Sequence, residues 1–236
     1  MATGLELLAA EITSCVRCPR LVEWRERVAR EKRRMYRDED YWGRPVPGFG
    51  DPAARILILG LAPGAHGANR TGRVFTGDRS GDFLYRTLHS VGLASQPESV
   101  GRDDGLVLHD AFISAACRCA PPDNKPLPQE IRNCRGWLER ELVLLPRIRV
   151  VAALGRIAFD DYLSLLRDQG HIKSRSGCVF AHGRVHDLGM HQPKLISSYH
   201  PSQQNTQTGK LTLPMFREVF VEAIRLASLR DETAVL

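Results

Sequence analysis

Four short apolar runs, separated by segments of helical periodicity, are the feature that most limits what this chain can fold into. The runs are residues 55–60, 111–116, 149–155 and 195–199. Runs of this length with few charged residues are typical of strands buried on both faces of a sheet. Strands that alternate with helices form a parallel sheet covered on both sides. The sequence therefore predicts an α/β protein built as a three-layer α/β/α sandwich.

Helical segments account for much of the remaining chain. Residues 5–12, 80–91, 128–145, 157–166 and 214–229 are predicted as helices, several of them with apolar residues at helical spacing, and residues 21–37 as a charged helix. The turn-rich residues 41–52 predict a loop. With 236 residues, 43% of them hydrophobic, the chain is long enough for a large core. We expect one domain over residues 1–236, with residues 1–50 as an N-terminal helical part.

The charge balance limits the class of protein and of partner. Lys and Arg total 33 against 27 Asp and Glu, a formal charge of +6, and a quarter of the residues are charged. No apolar run approaches the ~20 residues of a membrane-spanning helix. Residues 1–10 are acidic and their apolar stretch is too short for a signal peptide. The sequence predicts a cytoplasmic protein without a membrane partner and favours a polyanionic partner.

Four of the six cysteines form two pairs. Cys15 and Cys18 stand in a Cys-x-x-Cys-Pro turn, while Cys119 and Cys134 are separated by a proline-rich loop. In a reducing compartment such pairs favour metal binding over disulfides. The spacing does not separate zinc from an iron–sulfur cluster, and Cys119 and Cys134 could instead be small buried apolar residues. Cys117, on a strand, is predicted to belong to the core.

Two loops follow predicted strands, where α/β proteins place their ligands. Residues 60–78 are rich in glycine, which lets a ligand approach the backbone, but they lack the pattern of a nucleotide-phosphate loop. Residues 198–212 carry His200-Pro-Ser and then a long polar stretch of amides and hydroxyls. Such side chains suit contacts with phosphates.

Four motifs in this order resemble the uracil-DNA glycosylase superfamily. They are Gly60-Leu-Ala-Pro-Gly, Gly72-Arg-Val-Phe-Thr-Gly-Asp78, Cys119-Ala-Pro-Pro-Asp-Asn-Lys-Pro and His200-Pro-Ser. Over essentially the whole chain, the sequence is most similar to the iron–sulfur type-b enzymes, the fifth family. The resemblance implies a four-stranded parallel sheet, a [4Fe–4S] cluster on Cys15, Cys18, Cys119 and Cys134, and excision of deaminated bases from DNA in the cytoplasm of a prokaryote, at the nucleoid.

One departure from other families of this superfamily bears on substrates. Those families place a carboxylate or Asn in the first motif, where this chain has Leu61 and Ala62. This apolar pair is characteristic of the type-b group and fits a wide pocket that accepts hypoxanthine and xanthine besides uracil. A different group must then handle the water.

Base excision needs an aromatic surface that stacks on the base and a side chain that hydrogen-bonds to the edge of the base. It also needs a carboxylate near the sugar and a hydrogen-bond donor to the leaving base. Asp78 and His200 are the predicted catalytic pair, although Asp78 could be only a helix cap and His200 could satisfy a local carbonyl. The predicted base-binding residues are Gly60, Leu61, Ala62, Phe75 and Asn124. Phe75 could instead be a core residue, and Asn124 a turn residue.

The polar loop after His200 is the predicted minor-groove wedge. The residues expected to contact DNA are Arg70, Arg73, Ser202, Gln203, Gln204, Asn205 and Lys210, with His66 and Asn69 at the pocket rim. Nine Lys and Arg between positions 17 and 37, and further Lys173 and Arg175, could bind phosphates or form solvated faces.

The sequence thus predicts a monomeric, monofunctional glycosylase that uses water as the nucleophile and acts on single- or double-stranded DNA. The alternative is a non-catalytic iron–sulfur module that binds nucleic acid on the same fold. An enzyme of small nucleotides is disfavoured, because the phosphate loop is missing.

Overall fold

A computed structural model describes residues 3–229, and these contain one six-stranded sheet. The strands are β1 (Phe49–Gly50), β2 (Ile56–Gly60), β3 (Ala111–Ala115), β4 (Val150–Leu154), β5 (Arg184–His186) and β6 (Lys194–Ser198). Their order across the sheet is β1-β3-β2-β4-β6-β5. The ends of the predicted domain, residues 1–2 and 230–236, lie outside the described residues.

The predicted α/β fold is confirmed, and the sheet is larger than predicted. β3, β2, β4 and β6 are the four predicted strands, and they pair in parallel. β1 and β5 add an antiparallel strand at each edge, so the sheet is mixed. These strands span only two and three residues. Such short strands leave no hydrophobic period to recognise, and β1 lies in the segment predicted as a loop.

Eight α-helices lie in the described residues, most of them close to their predicted bounds. They are α1 (Gly4–Thr13), α2 (Pro19–Glu31), α3 (Ala68–Thr71), α4 (Arg79–Ser90), α5 (Pro128–Leu144), α6 (Arg156–Asp168), α7 (Gln203–Gln207) and α8 (Leu213–Ser228). α2 ends six residues before its predicted end, because Lys32 adopts a φ of +54°. A 3₁₀ turn, Arg34–Tyr36, follows.

The core lies on both faces of the sheet. Alternate residues of one strand enter opposite layers, so Ile56 and Ile58 pack towards α4 and α8, whereas Leu57 and Leu59 pack towards α5 and α6. All residues of β2, β3 and β4 are buried. This burial explains the apolar runs in the sequence.

The first two helices build a third, smaller apolar cluster beside the sheet. α1 packs against α5, and Leu8, Ile12 and Leu21 are buried together with Trp137 and cysteines from distant parts of the chain. Within residues 3–229, no helix is both long and apolar enough to cross a membrane.

Candidate active site

A cavity of about 850 Å³ lies beyond the carboxyl ends of the parallel strands. It meets the expectation for α/β proteins, since ligands bind at this edge. Nine of the sequence-predicted site residues line it: Leu61, Ala62, Phe75, Asp78, Asn124, His200, Ser202, Gln203 and Gln204. His66, predicted at the rim, also lines it. The structure therefore brings residues from four separate segments into one site.

The loop after β2 forms the floor of the cavity. The amide of Cys117 donates to the carbonyl of Leu61 over 2.8 Å, which extends the pairing of β2 and β3 past the strand ends. Gly60 lies beneath the ring of Phe75, where a Cβ would come within 2.6 Å of the ring. Only glycine permits this close approach. Phe75 itself has a φ of +52°, a conformation that is rare for aromatic residues.

Asp78 is both a helix cap and a wall of the cavity. Its Oδ1 accepts hydrogen bonds from the amides of Ser80 (3.0 Å) and Gly81 (3.1 Å) at the start of α4. Burial raises the pKa of the Asp78 carboxyl, and the two amide bonds oppose that rise. Its Oδ2 lies against the turn of Gly64 and Gly67, where a Cβ on Gly67 would come within 2.2 Å. Capping thus holds the carboxylate in place and leaves its second oxygen beside the pocket loop.

His200 lies directly after β6 and is held from two sides. Its ring stacks on that of Phe75 with centroids 5.9 Å apart, and the Asn205 amide Nδ2 donates to its carbonyl over 2.8 Å. Burial lowers the pKa of His200 to about 4, so the imidazole is neutral near pH 7. A neutral ring keeps one N–H donor and one acceptor.

Asn124 and the loop after His200 form the outer rim. Asn124 is exposed on a 3₁₀ turn, Pro122–Asn124, with a φ of +56°, so it is a turn residue that also faces the cavity. The segment predicted as a polar loop contains the short helix α7. Ser202 caps α7, and Gln203 and Gln204 face the cavity. Lys210 lies outside the cavity lining, with its Nζ 4.8 Å from the ring centre of Tyr199.

Two arginines predicted to contact DNA are engaged inside the protein. Arg73 is 3% exposed, bonds to Ser99 Oγ over 2.7 Å and forms an ion pair with Asp104, and this geometry argues against the predicted contact with phosphate. Arg70 is also engaged within the protein: it pairs with Glu39 and lies 3.9 Å from the ring centre of Tyr36. Its guanidinium joins the N-terminal segment to the pocket loop, and this geometry argues against a free phosphate contact.

Other predicted polar residues are likewise held inside the protein. Asn69 is fully buried, and its Nδ2 donates to the carbonyl of Arg25 over 3.2 Å. Arg175 bonds to Ser164 Oγ over 2.8 Å, while Lys173 is exposed beside a separate open cavity of about 530 Å³.

One wall of the main cavity was missed by sequence reasoning. Arg33, Met35 and Tyr36, on and beside the 3₁₀ turn after α2, line it. Behind them, Tyr41 Oη lies 3.0 Å from His66 Nδ1. The interruption of a basic segment by Met and Tyr was the available signal, but the predicted helix through residue 37 obscured it.

The four paired cysteines line a second, much smaller cavity of about 10 Å³. Cys15 and Cys18 come from the turn before α2, Cys119 from the segment after β3, and Cys134 from α5. Cys117 is buried as predicted, and its sulfur lies 4.0 Å from that of Cys134. Ala62 of the pocket floor packs against this cluster of cysteines. The two cavities therefore share a wall.

The surroundings of the cysteines contain donors that point at sulfur. Arg25, 3% exposed, donates from Nη1 to Cys119 Sγ over 3.1 Å and to the carbonyl of Cys15 over 3.2 Å. Asn133 Nδ2 donates to Cys18 Sγ over 3.4 Å. Among residues 3–229, no three His, Cys, Asp or Glu side chains converge on a point that could hold a single metal ion. The four cysteines thus border one cavity without converging on one metal position.

Comparison with known proteins gives consistent matches. Residues 47–224 match the model of the Uracil DNA glycosylase superfamily. The chain is 57% identical to the type-5 uracil-DNA glycosylase of Thermus thermophilus, over 95% of this chain and 99% of that protein. It is 43% identical to the type-5 enzyme of Pyrobaculum aerophilum, over 90% of this chain and 88% of that protein. A type-4 uracil-DNA glycosylase of Archaeoglobus fulgidus is 30% identical, over 66% and 70% respectively.

Proposed function

Because this chain belongs to the uracil-DNA glycosylase superfamily and is a DNA N-glycosylase, we propose a mechanism in which Asp78 and His200 divide the work of base excision. The observation that carries the proposal is the placement of both side chains on one cavity at the carboxyl edge of the sheet. The uracil-DNA glycosylase activity itself follows from the family and the named relatives.

His200 acts on the leaving base in this mechanism. The C1′–N bond breaks with its electron pair remaining on the base, so negative charge develops on the base and positive charge on the sugar. A neutral imidazole N–H can donate to the base as its charge grows. The neutral state of His200, a consequence of its burial, therefore suits a hydrogen-bond donor better than a proton-transferring acid.

Asp78 acts on the sugar side. Its charge, supported by the α4 amides, stabilises the cationic sugar and orients a water molecule through the oxygen that does not cap the helix. The water oxygen bonds to C1′, and the proton that it releases balances the negative charge of the departed base. The products are the free base and an abasic site, without strand cleavage by the enzyme.

The pocket supports a broader set of substrates than uracil alone. Leu61 and Ala62 contribute no polar side chain to the floor, and the cavity volume of about 850 Å³ exceeds the needs of one pyrimidine. We therefore include hypoxanthine and xanthine among the substrates. Phe75 supplies the aromatic surface, and Asn124 reads the base edge with its amide.

We assign a [4Fe–4S] cluster to Cys15, Cys18, Cys119 and Cys134. All four cysteines border one cavity, and four cysteine thiolates are the ligand set of a [4Fe–4S] cluster. Zinc instead requires four ligands at about 2.0–2.3 Å from a single point, and no three such side chains of residues 3–229 converge in that way. When bound, the cluster supplies iron–thiolate bonds that tie residues 1–50 to the rest of a single domain. The steps of base excision are carried by the side chains of the main cavity.

The DNA partner lies across the rim formed by Ser202, Gln203, Gln204 and the exposed part of the basic N-terminal segment. We expect the enzyme to act on single- and double-stranded DNA. We expect the enzyme to act as a monomer on chromosomal DNA in the cytoplasm, at the nucleoid.

The deciding experiment incubates the purified protein with duplexes that carry one uracil or one hypoxanthine, followed by alkali to reveal abasic sites. We expect cleavage of the DNA strand after alkali treatment and none before it. The absence of cleavage with both bases would favour the alternative, a non-catalytic nucleic-acid-binding module. Asp78→Ala and His200→Ala test the mechanism separately, and unchanged rates in both variants would refute it.

A further inference from the structure

Three arginines are buried in the described part of the chain, and Arg25 differs from the other two. Arg73 pairs with the buried Asp104, and Arg118 pairs with the buried Glu141, with N–O distances of 2.6 and 2.9 Å in the second pair. The carboxylate nearest Arg25 is that of Glu26, 3.7 Å away on a side chain that is 48% exposed. A buried guanidinium needs a compensating negative charge close by.

The contacts of Arg25 indicate where that negative charge lies. Its Nη1 donates to the sulfur of Cys119 and to the carbonyl of Cys15, two of the four cysteines around the smaller cavity. Its Nε is buried without a hydrogen-bond partner. A neutral thiol is a weak acceptor, whereas a metal-bound cysteine sulfur is an anion. The guanidinium is therefore placed for an anionic group that includes the Cys119 sulfur.

We propose that Arg25 is the positioning residue of the iron–sulfur site: it donates to the Cys119 thiolate, offsets the negative charge of the cluster and clamps α2 against it. This inference rests on the proposed cluster. Arg25 lies in the middle of α2, the helix that leads from the Cys15–Cys18 turn to the wall of the base pocket. Its carbonyl also accepts from the buried Asn69 of the pocket loop.

Two consequences follow from a cationic donor at a cluster thiolate. Positive charge and hydrogen bonds at the sulfurs favour the reduced state, so they raise the reduction potential. Partners that orient a metal ligand also strengthen metal binding, and their loss typically costs about 10- to 100-fold in affinity. Arg17 and Arg118 also border this cavity. Arg17 is exposed and stacks on Trp137, and Glu141 offsets the charge of Arg118. Arg25 is thus the residue expected to control both properties.

The experiment compares the anaerobically purified holoprotein with Arg25→Gln, Arg25→Lys and the control Arg20→Gln. Arg20 lies on the same helix but pairs with Glu130 and is 38% exposed. The readouts are iron per chain, iron release to a chelator followed by the loss of visible absorbance, and the midpoint potential. We expect Arg25→Gln to release iron about 10- to 100-fold faster and to lower the midpoint potential. The iron-release rate and the midpoint potential of Arg25→Lys should lie between those of Arg25→Gln and the wild type. Both values should be unchanged in Arg20→Gln.

Unchanged iron release and an unchanged potential in Arg25→Gln would overturn the role of Arg25 and leave the cluster assignment standing. A wild-type protein that binds zinc in place of iron would overturn both. If Arg25→Gln fails to fold, Arg25→Met, which keeps the side-chain bulk without the charge, is measured against the same expectations.

Discussion

At the scale of single residues, Asp78 shows how a structural role and a chemical role can share one side chain. One carboxylate oxygen caps α4, and the other lies at the pocket loop. The sequence offered these roles as alternatives, because an Asp before a helix fits both. The structure shows that the cap fixes the position from which the second oxygen could act.

Asp78→Asn and Asp78→Ala separate the two roles. Asn caps helices about as well as Asp, so Asp78→Asn should keep the free energy of unfolding while losing the negative charge. Asp78→Ala should lose about 1 kcal/mol of stability as well. We expect uracil excision to fall by about 100-fold or more in both variants. Equal activity of Asp78→Asn and the wild type in single-turnover assays would show that the charge has no catalytic role.

The burial of His200 makes a prediction about pH. Its folded pKa of about 4 lies below the ordinary value of 6.5, so the unfolded chain takes up a proton at a pH where the folded chain does not. The contribution of His200 to the free energy of unfolding is therefore fully present above pH 6.5, and it decreases as the pH drops towards 4. The free energy of unfolding, measured with urea, should therefore fall less steeply in His200→Asn than in the wild type between pH 6.5 and about 4. His66, His182 and His186 remain in both proteins, so the difference isolates His200.

At the scale of elements, the sequence predicted the four parallel strands and most helices, but not the cavity wall formed by Arg33, Met35 and Tyr36. β2, β3 and β4 are fully buried and β6 is buried in all but its first residue, and this burial left apolar runs that could be recognised. The 3₁₀ turn with Met35 and Tyr36 depends on the positive φ of Lys32, which the surrounding helix-forming residues do not indicate. The burial of Arg73 likewise depends on Asp104, a partner 31 residues away. Pairings of this kind arise only when the chain is folded.

The turn at Gly64 and Gly67 should be sensitive to a single methyl group. A Cβ at Gly67 would come within 2.2 Å of Asp78 Oδ2, so Gly67→Ala must displace the carboxylate or the loop. We expect a loss of excision activity similar to that of Asp78→Asn. Gly177→Ala is the matched control, because a Cβ there meets nothing within 4 Å. If Gly67→Ala is fully active, the close packing of this turn does not matter for catalysis.

At the scale of the whole molecule, the net charge of +6 is distributed unevenly between internal ion pairs and exposed surfaces. Several arginines are taken up by internal ion pairs, including Arg55, Arg70, Arg73 and Arg118. The positively charged side chains that are available to contact DNA phosphates lie on exposed segments, such as Arg33 and Arg34 beside the cavity. The net charge alone could not distinguish these two groups.

Binding to DNA should therefore depend on salt through a small number of contacts. Between roughly 50 and 200 mM salt, each duplex phosphate contact should weaken the affinity about three- to fourfold. Fluorescence anisotropy with a uracil-containing duplex measures the slope. Arg34→Gln should reduce the slope, and Arg73→Gln, which changes a buried ion pair, should destabilise the fold. A slope near zero would contradict a phosphate-binding rim.

The two outer strands of the sheet have a consequence for the behaviour of the protein at high concentration. A sheet edge with a long row of free backbone N–H and C=O groups invites pairing with another copy. Here the edge strands are two and three residues long and antiparallel to their neighbours, so they present very few such groups. The short edge strands that escaped the sequence pattern thus guard the four-stranded parallel core against edge-to-edge aggregation.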